Sequence, residues 1–409
     1  MNITENYSKN MKKRWAYLIT GVVLLLFLGL IYAWSVFRVP LAKEFGWNSA
    51  QLSVTFSVSM MMFCLGGLVS GIINRKSRVK LTMILCAAFL AAGFLSASTI
   101  NTLAGIYLTY GGLCGFGVGL GYNTVISTVV KWFPDKQGLI SGISLMGFGF
   151  GGMLLGTVGA SMISALGWRT TFRLFGIVFG VLMIAGALIL RPAGEDFLKQ
   201  LSGSGKRTDD AVEEIAVQQM LKRKNFWLYF LWAIVLSAAG LSIINSSTVY
   251  AQEVLRTGLT AAAAIAGIVS IFNGIGRVIF GQLFDMKGYR VTMVSVCIVT
   301  AAAALLLMLS WKTGSFAALA AAFIVIGLAY GGVTPTNSAF TAHFFGRQNY
   351  ALNFSVINLN LIAASYLGPM VGNGSYMRTF FMILLFSAAA LVLTFLIRQP
   401  KSSRQGETA

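Results

Sequence analysis

Residues 281–293 read GQLFDMKGYRVTM and form a short polar stretch between two long apolar runs. Residues 71–83 read GIINRKSRVKLTM and hold the same place after an earlier apolar run, so that the leading glycines of the two stretches are 210 residues apart. Phe133 and Phe345 repeat at almost the same distance, 212 residues. An internal repeat of this length, built from apolar runs, predicts a chain of two similar halves.

Apolar runs extend outward from both copies along almost the whole chain. Of the 409 residues, 56% are hydrophobic and only 11% are charged, whereas a soluble domain has about 25% charged residues. The runs are about 20 residues long, which is the length of a helix that crosses a bilayer. We therefore predict an all-α membrane protein with twelve transmembrane helices in two six-helix halves. The predicted spans are 15–37, 52–74, 80–98, 103–129, 139–165, 171–190, 226–250, 260–284, 290–310, 315–342, 350–373 and 379–397.

The net charge of +19 would suggest a nucleic-acid partner in a soluble protein, but here the position of the charges decides its meaning. Most of the 31 Lys and Arg residues lie at the two termini and in the loops that follow even-numbered spans. Basic loops stay on the cytoplasmic side of a membrane. We therefore predict two cytoplasmic termini, a bacterial plasma-membrane location, the lipid bilayer as partner and no nucleic-acid binding. The first run is too long for a cleavable signal peptide, and none is expected.

The chain divides in the middle at a polar segment. Residues 1–190 form the predicted first half, 191–225 a cytoplasmic linker and 226–409 the second half. Within the linker, 202–205 read SGSG, which is typical of a flexible joint. Thr208 or Asp209 could then cap a short amphipathic helix that lies along the membrane surface.

The sequence offers few candidate residues for catalysis or for metal binding. The four cysteines form no CxxC pair, and His343 is the only histidine. This pattern predicts neither a disulfide framework nor a zinc site. No nucleophile with a neighbouring base is visible, so we expect no enzymatic activity, no metal and no cofactor.

Glycines recur at helical spacing in two of the predicted spans. In the fourth span Gly111, Gly115 and Gly119 are four residues apart, and the fifth span has a similar cluster at 147–152. Small residues at this spacing let two helices approach closely within a membrane. We predict close packing between helices and no phosphate loop at these glycines.

One cation lies well inside a predicted span. Arg277 stands in the eighth span between Gly276 and Val278, and no Asp or Glu is clearly buried in any span. A guanidinium there costs several kcal/mol unless it faces a cavity or a partner. A substrate carboxylate would match its two-donor fork, and Asn273, one turn earlier, could donate to the same group. The alternative is an arginine held by backbone carbonyls or one that reaches the cytoplasmic interface.

Other polar side chains within the spans could line a substrate cavity, although each could equally join two helices. They are Tyr32 and Trp34 in the first span, Tyr122 in the fourth, Asn245 in the seventh, and Asn358 and Asn360 in the eleventh.

Proton coupling requires a titratable group in the transport path. Glu253, at the outer end of the seventh span, is the candidate, with a solvated surface pair to Arg256 as the alternative. A proton could also be carried by the substrate itself. Anion exchange requires no titratable residue.

The second polar stretch resembles the loop motif of the major facilitator superfamily through Gly281, Asp285, Gly288 and Arg290. The first copy departs from the motif, because position 75, in the Asp place, is an arginine. The departure weakens the cytoplasmic latch that the motif supplies in that family.

Longer strings resemble the oxalate/formate antiporter family, close to the monocarboxylate transporters. They are IYAWSVF at 31–37, GFGVGLGY at 115–122, KWFPDK at 131–136 and GWR at 167–169. The resemblance covers nearly the whole chain. It implies the major facilitator fold and alternating access between two halves.

The resemblance also implies roles for single residues. An arginine in the eighth span binds the substrate carboxylate in that family, and Arg277 matches it; Tyr122 matches the tyrosine of the family's pocket. The oxalate exchangers carry a second cation in the eleventh span, whereas here no Lys or Arg occurs between Arg347 and Arg378. A single cation suits a monoanion such as lactate, pyruvate, formate or acetate.

We therefore expect a monomeric secondary transporter of small monocarboxylates, either proton-coupled or exchanging. The alternative is an oxalate/formate or other dicarboxylate antiporter. A remote alternative is a carboxylate sensor that signals through residues 191–225.

Overall fold

The computed structural model describes residues 3–76, 78–194, 197, 214–257, 259–372 and 375–399. The predicted helix after Thr208 or Asp209 lies outside these residues. In the first half the α-helices are α1 (Ile3–Leu28), α2 (Trp34–Phe45), α3 (Ser49–Asn74), α4 (Val79–Ala97), α5 (Leu103–Ile106), α6 (Gly115–Lys131), α7 (Gln137–Leu166) and α8 (Trp168–Ile189). They continue with α9 (Val217–Met220), α10 (Lys224–Leu255), α11 (Leu259–Thr313), α12 (Phe316–Phe345), α13 (Tyr350–Asn358), α14 (Asn360–Gly372) and α15 (Tyr376–Leu396).

The number of membrane spans agrees with the prediction of twelve. Eleven stretches of the described residues are long and apolar enough to cross a membrane. One of them, Gly267–Thr313, is 47 residues long and contains a break at Gly288, whose φ of 77° only glycine adopts readily. The break divides it into the eighth and ninth spans.

Two predicted spans are not simple α-helices. The first contains a 3₁₀ segment, Gly29–Ala33, between α1 and α2, and the fourth contains a π-helical segment, Tyr107–Cys114, between α5 and α6. The polar stretch 281–293, expected to be a loop, is helical on both sides of Gly288. No separate loop is needed between the eighth and ninth spans, because Gly288 with its positive φ turns the chain by itself.

The glycines of the fourth and fifth spans pack against neighbouring backbones, as predicted. A methyl group added to Gly119 would clash with the carbonyl of Phe63 on α3, and one added to Gly151 would clash with the carbonyl of Leu26 on α1. Because these glycines have no side chain, the helices of the first half can approach until their backbones are in contact.

The two halves meet along one surface, which we call the seam. Helices α3, α6 and α7 of the first half contact α11, α12, α13 and α14 of the second. We call the end of the bundle that carries the turns 134–136 and 346–349 the inner end. Within the described part of the chain, hydrogen bonds across the seam occur only from its middle to the inner end. These bonds close the inner end.

Candidate functional site

Arg277 lies on α11 at the seam. Arg277 is buried, with only 3% of its surface exposed. Eleven residues separate it from the break at Gly288, which corresponds to roughly 16 Å along a helix and therefore to about half the thickness of the hydrocarbon core. Arg277 therefore lies well inside the eighth span and not at its end.

The guanidinium reaches from the second half to the first. Its Nε donates to Asn273 Oδ1 at 3.2 Å, and its Nη1 donates to the backbone carbonyl of Leu145 on α7. Gly149 lies one turn beyond Leu145, and a Cβ there would sit 3.4 Å from the Arg277 Cζ. The glycine leaves room for the arginine to lie across α7. One guanidinium nitrogen is therefore held by a backbone carbonyl, which is the alternative that the sequence left open.

Two features of this site leave capacity to bind an anion. Among the described residues the salt bridges are Arg14–Asp135 and Arg169–Glu44, so the Arg277 charge has no carboxylate partner there. The Asn273 Nδ2 is buried and has no hydrogen-bond partner among the described residues. The bond from Arg277 to Asn273 Oδ1 fixes the amide orientation, so the group that lacks a described partner is the donor nitrogen and not the oxygen. A buried donor without an acceptor costs about 1–3 kcal/mol.

Aromatic rings from both halves surround the guanidinium. The Tyr32 ring packs edge-to-face on Phe148 at 5.3 Å, and Tyr122 contacts Phe148 and Phe63 at 5.0 Å each. Tyr32, Tyr122 and Tyr330 all lie close enough to Arg277 to interact with its charge. The site is therefore a cation in a cage of rings whose hydroxyls can bind an oxyanion.

Sequence reasoning missed Tyr330 and Phe148. The repeat contains a signal for Tyr330, because Tyr122 plus the offset of 212 is position 334, one helical turn beyond it. Phe148 has no such signal, since it lies among the glycines of the fifth span and reads as a packing residue.

Trp34 is engaged elsewhere. Its indole nitrogen donates to the carbonyl of Leu52 at 2.8 Å, and its ring lies 4.6 Å from that of Tyr110. It joins the first span to α3 and to the π-helical segment. No described contact brings it to Arg277.

The two asparagines of the eleventh span take part in bonds between helices. Asn358 Oδ1 accepts from Asn337 at 3.3 Å, and Asn337 Oδ1 accepts from the Tyr229 hydroxyl at 2.7 Å. Asn360 Oδ1 accepts from Ser237 at 3.4 Å, and its Nδ2 donates to the carbonyl of Ile357. Polar side chains inside a membrane satisfy one another in this way. Both residues thereby connect the seventh, tenth and eleventh spans.

The seventh span supplies no described group to the cage. Asn245 belongs to α10, but its side chain lies outside the described part of the structure. Glu253 is exposed in the last turn of α10 and accepts a bond from the Tyr376 hydroxyl at 3.2 Å. Arg256 ends this helix in the left-handed conformation, with φ 49°. The predicted pair between these two charges is absent from the described salt bridges.

The second copy of the loop motif closes the inner end. Asp285 Oδ1 accepts the backbone N–H of Gly138 at 2.8 Å, and Oδ2 accepts that of Leu139 at 2.7 Å. A carboxylate at this place satisfies the free donors at the start of α7 and interacts favourably with the helix dipole. Gly281 touches Gly138 backbone to backbone. Arg290 lies over the ring of Tyr289, 5.9 Å from its centroid.

Comparison with known proteins agrees with this architecture. The sequence model of the Major Facilitator Superfamily matches residues 19–369. The chain is similar to the uncharacterized MFS-type transporter YhjX of Escherichia coli (25% identical over 353 residues, 86% of each chain). It is also similar to the oxalate:formate antiporter of Oxalobacter formigenes (26% over 376 residues, 90% of this chain and 88% of that one). Monocarboxylate transporter 12 of Mus musculus is 25% identical over 284 residues, which are 63% of this chain and 58% of the relative.

Solved structures share the fold at low identity. The transporter FucP, crystallised in an outward conformation, superposes with a TM-score of 0.69 at 14% identity, covering 93% of this chain and 98% of that one. The proton:xylose symporter XylE gives the same TM-score and identity, covering 96% and 98%. Because the family model covers most of the sequence and the fold agrees with it, the chain belongs to the Major Facilitator Superfamily and is a transporter, not an enzyme.

Proposed function

We propose that this transporter is a secondary carrier of small monocarboxylates that works by alternating access. The observation that carries the proposal is the buried Arg277 without a described carboxylate partner, next to the unpaired Nδ2 of Asn273. A carboxylate placed between them would accept from both groups and neutralise the cation. The same binding would offset both the buried charge and the unpaired donor.

The number of cations supports a monoanion. Arg277 is unaccompanied in the cage, because the eleventh span contains no Lys or Arg and its asparagines are bonded to neighbouring helices. A second carboxylate would enter an apolar, aromatic space without a counter-charge, which is costly. One similar protein is an oxalate:formate antiporter and another is a monocarboxylate transporter. Both support a small carboxylate as the class of substrate. The second candidate is an oxalate/formate or other dicarboxylate antiporter.

The charges described around Arg277 favour anion exchange, or a proton that travels on the substrate, over a proton relay through a titratable side chain. Glu253 is exposed and bonded to Tyr376, so it lies outside the cage. No described carboxylate lies beside Arg277 that could relay a proton. A bound monocarboxylate makes the occluded site neutral, which favours reorientation of the loaded carrier.

The orientation follows from the charge distribution and is part of the proposal. The excess of basic residues at the inner end and at both termini supports a position of all three in the cytoplasm of a bacterial cell. The described bonds at the inner end then correspond to a carrier closed toward the cytoplasm. The carrier is proposed to act as a monomer.

Uptake into proteoliposomes tests the function. Labelled formate, lactate, pyruvate and oxalate are offered to vesicles that are empty or preloaded with the same acids, with and without an imposed pH gradient. We expect uptake of monocarboxylates, stimulated by preloading. Uptake stimulated only by an inward proton gradient would assign proton symport, preference for oxalate would favour the second candidate, and no uptake of any acid would contradict the proposal.

A further inference from the structure

The end of the linker between the two halves is bound to the start of the eleventh span. Glu214 accepts the backbone N–H of Arg347 at 3.0 Å through Oε1 and that of Gln348 at 2.7 Å through Oε2. The next residue, Ile215, donates to the carbonyl of Phe345 at 3.1 Å and is only 4% exposed. The Asn353 amide donates to the carbonyl of Ile215 at 2.9 Å. A carboxylate with two backbone donors and a buried neighbour is a fixed structural element.

The internal repeat shows what this carboxylate replaces. In the second half, Asp285 accepts the N–H groups of Gly138 and Leu139 at the start of α7. A shift of 210 residues relates Asp285 to Arg75 and Gly281 to Gly71, and Gly71 lies against Ala351 on α13 as Gly281 lies against Gly138 on α7. The repeat therefore calls for an acid from the first-half loop at the start of α13, but the loop carries an arginine. Glu214 of the linker instead binds the turn immediately before α13.

Arg347 converts this contact into a bond across the seam. Its Nη2 donates to the carbonyl of Pro134 in the first half at 3.0 Å. Burial lowers the pKa of the Arg347 guanidinium, while the charges of Glu214 and Asp135 act in the opposite direction. Lys131, at the end of α6, also lies within the field of Glu214. The linker carboxylate thus lies between cations of both halves.

We infer that Glu214 takes over the role of the missing first-half loop acid and, by fixing the turn that carries Arg347, holds the inner end of the transporter closed. The linker then does more than connect the two halves, because it forms part of the gate at the inner end. This inference does not depend on the substrate. It predicts that loss of Glu214 opens the inner end, and that an acid restored at position 75 closes it again.

A thiol at the seam reports the opening. Ser355 is 2% exposed and lies against Gly71 on α3, so Ser355→Cys introduces a thiol that the closed inner end protects. The protein in lipid nanodiscs is treated with a membrane-impermeant maleimide, and the rate is corrected for the parent protein with its four buried cysteines. Three variants are compared in this background: Glu214→Ala, Glu214→Gln, and Glu214→Ala combined with Arg75→Asp. Glu253→Gln, at the end of the bundle opposite the inner end, is the control.

We expect Glu214→Ala to raise the labelling rate at least fivefold and Glu214→Gln to raise it less, because the amide keeps one acceptor oxygen. Arg75→Asp in the Glu214→Ala background should bring the rate back to within about twofold of the parent, whereas Glu253→Gln should leave it unchanged. Thermal denaturation of each variant identifies any that is unfolded, and Glu214→Gln then decides. An unchanged rate in folded Glu214→Ala or Glu214→Gln, or no restoration by Arg75→Asp, would overturn the inference.

Discussion

The middle and the inner end of the seam both use charged side chains to join the halves, but they differ in how many of their donors and acceptors are occupied. At the inner end, both oxygens of Asp285 and both oxygens of Glu214 accept backbone N–H groups. In the middle, Arg277 has no described carboxylate partner and Asn273 keeps an unpaired donor.

The difference separates closing contacts from binding contacts. Fully paired groups stabilise one arrangement of the halves, and breaking them shifts the balance between arrangements. Unpaired groups in a buried site gain most from a ligand, because the cost of their burial has not yet been offset. Substitutions in the middle should therefore change substrate binding, and substitutions at the inner end should change the populations of conformations.

The largest effect is expected at Arg277. Arg277→Lys should lower the kcat/KM of carboxylate uptake roughly ten- to hundredfold, since one hydrogen bond to a charged group is worth about 1.5–3 kcal/mol and lysine lacks the planar fork. Arg277→Gln should lower it further, because nothing remains to offset the desolvation of the carboxylate. Initial rates in proteoliposomes with matched protein content measure both.

Arg169 provides the matched control. It is paired with Glu44 at 3.0 Å and donates to the carbonyl of Ser98 at the outer end. A hydrogen bond from the Trp168 indole, with a smaller contribution from Arg169, lowers the pKa of Glu44 below its usual value, so this carboxylate is ionised at neutral pH. Arg169→Gln should reduce thermal stability and leave the KM unchanged. Normal folding and unchanged uptake in Arg277→Gln would make Arg277 structural and reopen the class of substrate.

The next largest effect is expected at Asp285. Asp285→Asn keeps one acceptor oxygen but loses the charge and one of two backbone bonds at the start of α7. The loss of about 1.5 kcal/mol would shift the equilibrium roughly tenfold toward the arrangement that is open at the inner end. Labelling at Ser355→Cys should rise accordingly. A labelling rate equal to that of the parent would show that the motif acid does not hold the gate.

The fold was largely predictable because hydrophobic length decides it. Twelve apolar runs appear in the sequence, and twelve spans appear when Gly267–Thr313 is divided at Gly288. The 3₁₀ and π segments were not predictable, because Gly29–Ala33 and Tyr107–Cys114 are as apolar as the helices around them. Their geometry depends on tertiary packing.

The site was predictable where burial of a charge decides it. Arg277 is conspicuous in any apolar run, and Asn273 follows from helical spacing. Asn358 and Trp34 have the same appearance in the sequence as pocket residues, but their partners lie on other helices, at Asn337 and Leu52. Sequence spacing along one helix does not reveal such partners.

A smaller effect on binding is expected at Tyr122. Its ring lies between Phe63 and Phe148 in the cage, so Tyr122→Phe should keep the wall and lose one hydrogen bond, about 0.5–1.5 kcal/mol in substrate affinity. Tyr122→Ala should weaken affinity more, since it also leaves a cavity. Competition by unlabelled substrate gives both affinities. Affinities like that of the parent in both variants would make Tyr122 a packing residue.

The smallest effect is expected outside the seam, at Glu253. This carboxylate is exposed at the end of α10 and bonded to the Tyr376 hydroxyl at 3.2 Å. A group that carries protons must be exposed alternately to the two sides of the membrane, and a residue on the rim does not meet that requirement. Glu253→Gln should therefore leave uptake and its dependence on the pH gradient within about twofold of the parent. If the variant retained exchange but lost net uptake driven by protons, Glu253 would be the coupling residue, and the outer rim would join Arg277 as part of the transport path.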